Sequence, residues 1–140
     1  MNQTLQNLSD QEIQAAIRHS ETIGKFHDYL KSNNRFPHSG QLKVIRAFFR
    51  DKKRMVFAMC GRKWGKSECI LYIAWRYAIE NPGANVYIIA PTKKHGKDLY
   101  WVNKRLQSYG CKEFISEERD SEISLVFNIK NQNDIPSRIF

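Results

Sequence analysis

The spacing of apolar and polar residues divides this chain into helical stretches and short apolar runs. Ser9-Asp10-Gln11-Glu12 has the form of a capping box, in which the serine hydroxyl accepts from the backbone three residues on and the glutamate reaches back. It predicts a helix from there to about Asn33, with Gly24 as a point of interruption. FPHSGQ breaks the pattern with Pro37 and Gly40, and QLKVIRAFFRD resumes a helical period through Leu42, Ile45, Phe48 and Phe49. Residues 1–36 are therefore expected to form an N-terminal helical annex.

MVFAMC, residues 55–60, is a short continuous apolar run of the kind that suits a buried parallel strand. After a loop ending Gly65-Lys66-Ser67, SECILYIAWRYAIEN is apolar nearly all round, as expected of a helix packed on a sheet, and Pro82 and Gly83 end it. NVYIIAP predicts a second buried strand, and KDLYWVNKRLQSYG a second helix closed by Gly110. Strand, helix, strand, helix with short links indicates a parallel α/β sheet with right-handed crossovers. KEFISEERDSE is polar and acidic, ISLVFNIK alternates like a strand, NQND is a turn, and IPSRIF begins a further strand. No internal repeat, low-complexity linker or second domain is visible in the pattern.

Charge sharpens this picture. Lys and Arg outnumber Asp and Glu 23 to 14, and the excess is clustered. Gln41 to Lys66 holds nine basic residues against Asp51 alone, and Lys93 to Arg105 holds five against Asp98. Such clusters attract nucleotide phosphates or a nucleic-acid backbone. Lys93, Lys94 and Lys97 suit either a solvated helix start or a DNA-backbone contact. The three cysteines, Cys60, Cys69 and Cys111, are odd in number, lack metal-type spacing and have no paired histidines, which fits a reducing cytoplasm. MNQTLQNLSDQEI lacks a basic-then-apolar signal pattern, and no apolar run approaches the roughly 20 residues of a membrane span.

Candidate chemistry lies in CGRKWGKSE, residues 60–68. The pattern G-x-x-x-x-G-K-[ST] cradles phosphates because its turn aims backbone N–H groups inward, its lysine reaches the β/γ-phosphates and its hydroxyl holds Mg²⁺. The amino terminus of the following helix adds the positive end of its dipole. Gly65, Lys66 and Ser67 match in type, between a predicted strand and a predicted helix. Cys60 stands where the first glycine belongs, and Gly61 is expected to supply part of the lost freedom.

CGRKWGKS, with its early arginine, resembles the deviant Walker A loop of phage large terminase subunits, the ATPases that drive DNA into a capsid. PHSGQLKVIRAF resembles the adenine-reading Q motif of terminases and helicases, with Gln41 as its glutamine. VYIIAPTKKHGKDLYW resembles the segment after the second strand, with Ala90-Pro91-Thr92 as its signature. The match covers Pro37 to about Trp101 well and the last strands loosely.

The resemblance implies the fold of a P-loop NTPase, a parallel sheet with flanking helices, present here in part as residues 37–140 and stopping before Walker B. It implies ATP and Mg²⁺ as cofactors and a nucleotide site of Gln41, Cys60, Gly61, Arg62, Lys63, Trp64, Gly65, Lys66, Ser67 and Glu68. Within it Lys66 would polarise phosphates, Ser67 would hold the metal, Arg62 would stabilise transition-state charge and Gln41 would read adenine. Implied partners are double-stranded DNA, contacted through its backbone, a portal, a small terminase subunit and further copies in a ring at a bacteriophage procapsid. Gln41 as a helix cap, Arg62 as a solvated side chain and Trp64 as a surface aromatic or a lid remain open. No apolar strand ends in the Asp-Glu that would complete hydrolysis, since ISLVFN ends in Asn128 and Glu117, Glu118 and Asp120 lie in a polar stretch. Slow turnover is expected of this chain, and the other readings are a helicase-type ATPase or a nucleotide- or DNA-binding module without turnover.

Overall fold

The computed structural model describes residues 9–140, so the first eight residues of the expected 1–36 annex lie outside the described residues. Helix α1, Asp10–Ser32, opens on the expected capping box: the Ser9 hydroxyl accepts from the Glu12 N–H, and the Glu12 carboxylate accepts from the Ser9 N–H at 2.7 Å. It runs through Gly24 unbroken. Helix α2, Ser39–Phe49, and helix α3, Lys66–Glu80, follow. The chain then forms β1, Asn85–Val86, a short α4, Lys93–Gly96, and a π-helical turn over Lys97–Val102. Strands β2, Ile115–Arg119, β3, Ser124–Lys130, and β4, Pro136–Ile139, complete the order.

The protein is mixed α/β, but its sheet is not the all-parallel one expected. The strand order is β1-β4-β3-β2, with β1 and β4 parallel and the other two pairs antiparallel. The antiparallel part arises because IPSRIF folds back on ISLVFNIK through a tight turn. There the Asn131 side chain accepts from the N–H groups of Asn133 and Ile135. Strand β2 lies in the acidic stretch and was not expected. As an edge strand with its charged side chains in water it shows no apolar alternation.

Residues 55–60, expected as a buried strand, have no strand partner and make no backbone–backbone hydrogen bond among the described residues. Their side chains still alternate: Val56, Ala58 and Cys60 line a cleft with Val44, Phe48 and Ile73, while Met55, Phe57 and Met59 face solvent, Phe57 at 86% exposure. Strand β1 is likewise paired on one edge only, and Ile89 beyond it is 91% exposed. An apolar run alone therefore does not make a strand; it needs a neighbouring edge.

The second expected helix also differs. Thr92 caps α4, its hydroxyl accepting from the His95 N–H, but the chain leaves helical geometry at Asn103 and Lys104, the latter at φ +54°. Burial of Trp101, Leu106 and Tyr109 in the common core wins over local helical preference. Gly110 is a close-approach glycine rather than a helix cap, because a Cβ there would lie 2.5 Å from the Trp75 ring.

Trp75 is the centre of the core. It is fully buried, stacked on Phe26 of α1 at 6.0 Å, edge-on to Phe127 of β3 at 4.9 Å, and donates through Nε1 to the Leu106 carbonyl at 2.9 Å. One cluster thus joins α1, α3, the sheet and the 103–110 segment. No helix among the described residues is long and apolar enough to cross a membrane.

His27 makes this packing pH-sensitive. Its Nε2 lies 2.9 Å from the Tyr72 hydroxyl, whose oxygen also accepts from Arg76 Nη1 at 3.2 Å. Partial burial, and then the charges of Arg76 and Lys31, lower its pKa below the ordinary 6.5. Below about pH 6.5 the unfolded chain takes up a proton that the folded chain resists, so stability falls with pH until the folded value is passed. Urea unfolding is expected to lose stability from pH 7 to pH 5, with a shallower decline in His27→Gln. An identical slope in that variant would remove His27 as the cause.

Candidate phosphate-binding site

The loop over residues 60–65 is shaped by two left-handed positions, Lys63 at φ +61° and Gly65 at φ +92°. Gly61 is not one of them, so the expected conformational compensation for Cys60 is not used, and the cysteine occupies the first-glycine position without left-handed strain. Gly65 is required on two counts, its φ and the position of Gln41 Nε2, 2.6 Å from where a Cβ would stand. Immediately beyond it α3 begins, with Gly65 as an N-cap that offers no side-chain acceptor. The first-turn N–H groups of a 15-residue helix therefore lack a side-chain cap, the arrangement that favours anions.

Helix α2 braces this loop. Gln41, buried, accepts from the His38 N–H at 3.0 Å through Oε1 and donates to the Gly65 carbonyl at 2.9 Å through Nε2. His38 is the N-cap of α2: Nδ1 accepts from the Gly40 and Gln41 N–H groups, so Nε2 carries the proton and donates to the Trp64 carbonyl at 2.9 Å. Its ring meets Trp64 edge-on at 5.3 Å. Gln41 is thus a helix cap and a loop brace at once. Trp64 is half-buried in the apolar cleft that holds Val56 and Cys60, rather than a free surface aromatic.

Lys66 Nζ donates to the carbonyls of Gly61 at 3.0 Å and Cys60 at 3.5 Å, which places the ammonium over the loop. Lys66, Ser67, Glu68, Lys63 and Gly65 line one cleft together with Arg105. Arg62 and Lys63 are exposed and have no ion-pair partner among the described residues. Glu68 is taken by Arg105, whose Nη2 donates to its Oε1 at 3.1 Å. The other carboxylates considered for catalysis lie elsewhere: Glu117 pairs with Arg119, Glu118 with Lys104, and Asp120 accepts from Trp101 Nε1.

Ser67 is half-buried and lines the same cleft. Among the described residues no group of three or more His, Cys, Asp or Glu could hold a metal by itself. Burial raises the Cys69 thiol to about 11, with the nearby Cys60 adding to the effect, so Cys69 is a packing residue at neutral pH.

Two residues of the site were missed in the sequence. His38 precedes Gln41 by three, the capping-box spacing, but histidine is not a usual N-cap. Arg105 lies 37 residues beyond Glu68 with no local pattern to point to it. Lys93, Lys94 and Lys97 are exposed on and just after α4. In comparisons with known proteins the chain matches no family model, no curated protein and no solved structure.

Proposed function

We propose that this chain binds Mg·ATP on the 60–68 loop, as the nucleotide-binding portion of a P-loop motor of the large-terminase type. The observation that carries the reading is the start of α3, an uncapped helix amino terminus behind a left-handed Gly65, with Lys66 Nζ folded over the loop carbonyls. Lys66 would leave those carbonyls for the phosphates, since both are acceptors and the phosphate carries the charge. Ser67 would take one Mg²⁺ position, exposed Arg62 would reach the phosphates from the loop, and Gln41 would face the base. Mg²⁺ neutralises phosphate charge when bound, and the chain's own contribution is to grip and orient.

Double-stranded DNA is the proposed polymer partner, held by the basic clusters through salt-dependent backbone contacts. Assembly with a portal, a small subunit and further copies in a ring belongs to the same proposal. A second reading, a binding module without turnover, is favoured by one observation: among the described residues Glu68 is the one carboxylate lining the cleft, and it is committed to Arg105.

Calorimetric titration of the 140-residue chain with Mg·ATP, followed by competition with inorganic tripolyphosphate, tests the proposal. Binding that tripolyphosphate displaces is expected, with turnover below the roughly 1 to 100 per second of phosphoryl-transfer enzymes. No binding at millimolar ATP would overturn the nucleotide reading. A fast rate would reject the module.

A further inference from the structure

We propose that Arg105 is a specificity residue that reads the terminal phosphate of a nucleoside triphosphate; this rests on the nucleotide-binding reading above. Arg105, on the 103–110 segment, lines the cleft of Lys66 and Ser67 and contacts Glu68 in the first turn of the helix whose terminus would hold the other phosphates. Its backbone is well anchored. The adjoining Leu106 is buried, its carbonyl accepts from Trp75 Nε1 at 2.9 Å, and its N–H donates to the Tyr100 carbonyl at 2.9 Å. On the other side, Lys104 Nζ pairs with Glu118 at 2.9 Å. A side chain on such a base has a fixed origin and a limited reach, which is what discrimination by distance requires.

The guanidinium is held by a single contact. Nη2 donates to Glu68 Oε1 at 3.1 Å, while the remaining donors of the fork make no hydrogen bond among the described residues. The pairing is also poor from the carboxylate's side, because among the described residues the buried Glu68 Oε2 has no partner, nor does the nearby Tyr109 hydroxyl. A terminal phosphate offers three charged oxygens and the two parallel bonds that a guanidinium fork accepts best. Arg105 therefore exchanges one bond to Glu68 for two to the phosphate. A diphosphate, gripped by Lys66 and the helix terminus, leaves it on Glu68.

The competing explanation is that Arg105 only neutralises Glu68 inside an anion site. The two differ in what ADP feels. Affinities of the full chain for Mg·ATP and Mg·ADP, measured by calorimetry, are expected to show the ATP preference falling about tenfold or more in Arg105→Ala, the scale of a lost charged hydrogen bond, with ADP affinity within about twofold of wild type. Arg105→Lys, which keeps the charge on Glu68 and so the fold, should lose most of the preference as well. In the Arg105→Ala, Glu68→Gln double variant the preference stays lost. If ATP and ADP weaken equally and the double variant restores both, or if the preference is unchanged in Arg105→Lys and Arg105→Ala alike, the proposal is wrong. Lys66→Ala separates this from failure of the underlying site. Loss of both nucleotides there leaves Arg105 judged on its own result, and unchanged binding removes both readings.

Discussion

Trp75→Ala is expected to cost about 3–5 kcal/mol of folding free energy, the range for a fully buried large aromatic cut back to a methyl group. Phe26, Phe127 and the Leu106 carbonyl would all lose their partner at once, and the Leu106 carbonyl would be left as a buried unpaired acceptor. Set against a total of about 5–15 kcal/mol for a domain, the loss takes much of the stability. Urea denaturation at pH 7 measures it, with Trp75→Phe as the milder comparison. A loss below about 1 kcal/mol would mean that the core is not centred on this residue.

Lys66→Ala should do the opposite, sparing the fold and removing the ligand. The side chain is exposed and its two contacts are to loop carbonyls that water can serve, so stability should change by no more than about 0.5 kcal/mol. Mg·ATP affinity should fall at least about tenfold to a hundredfold, as one or two charge-assisted bonds are lost. Equal affinity in the variant would remove the phosphate-binding reading of the loop.

What could be read from the sequence was what depends on local chemistry. The Ser9–Glu12 box, the continuous apolar face of α3 and the Asn131 turn are each specified within a few residues, and each is where the spacing put it. The mistaken readings depended on a partner distant in the chain. Residues 55–60 have a strand's alternation but no neighbouring edge, and Gly110 answers to the face of Trp75 rather than to its own helix. The polar β2 is a strand because β3 lies beside it. At the site, residues 60–68 form one run in the sequence, but Lys63 and Gly65 to Glu68 line one cleft while Cys60 and Trp64 line another, and the Gln41 brace follows from geometry across 24 residues and the Arg105 contact across 37.

The loop is held unevenly, and this bears on the thermodynamics of any ligand it takes. Downstream it is continuous with α3, and on one side Gln41 and His38 fasten it to α2, but among the described residues the upstream leg over residues 55–60 makes no backbone–backbone hydrogen bond and is tied only by the long Lys66 contact to the Cys60 carbonyl. Such a segment opens at little cost in free energy, and fixing each residue's backbone takes roughly 1–2 kcal/mol of conformational entropy. A phosphate drawing in the Cys60 and Gly61 backbone would have to order part of that leg. Association would then carry a large favourable enthalpy offset by an unfavourable entropy, and the measured affinity would understate the strength of the contacts themselves.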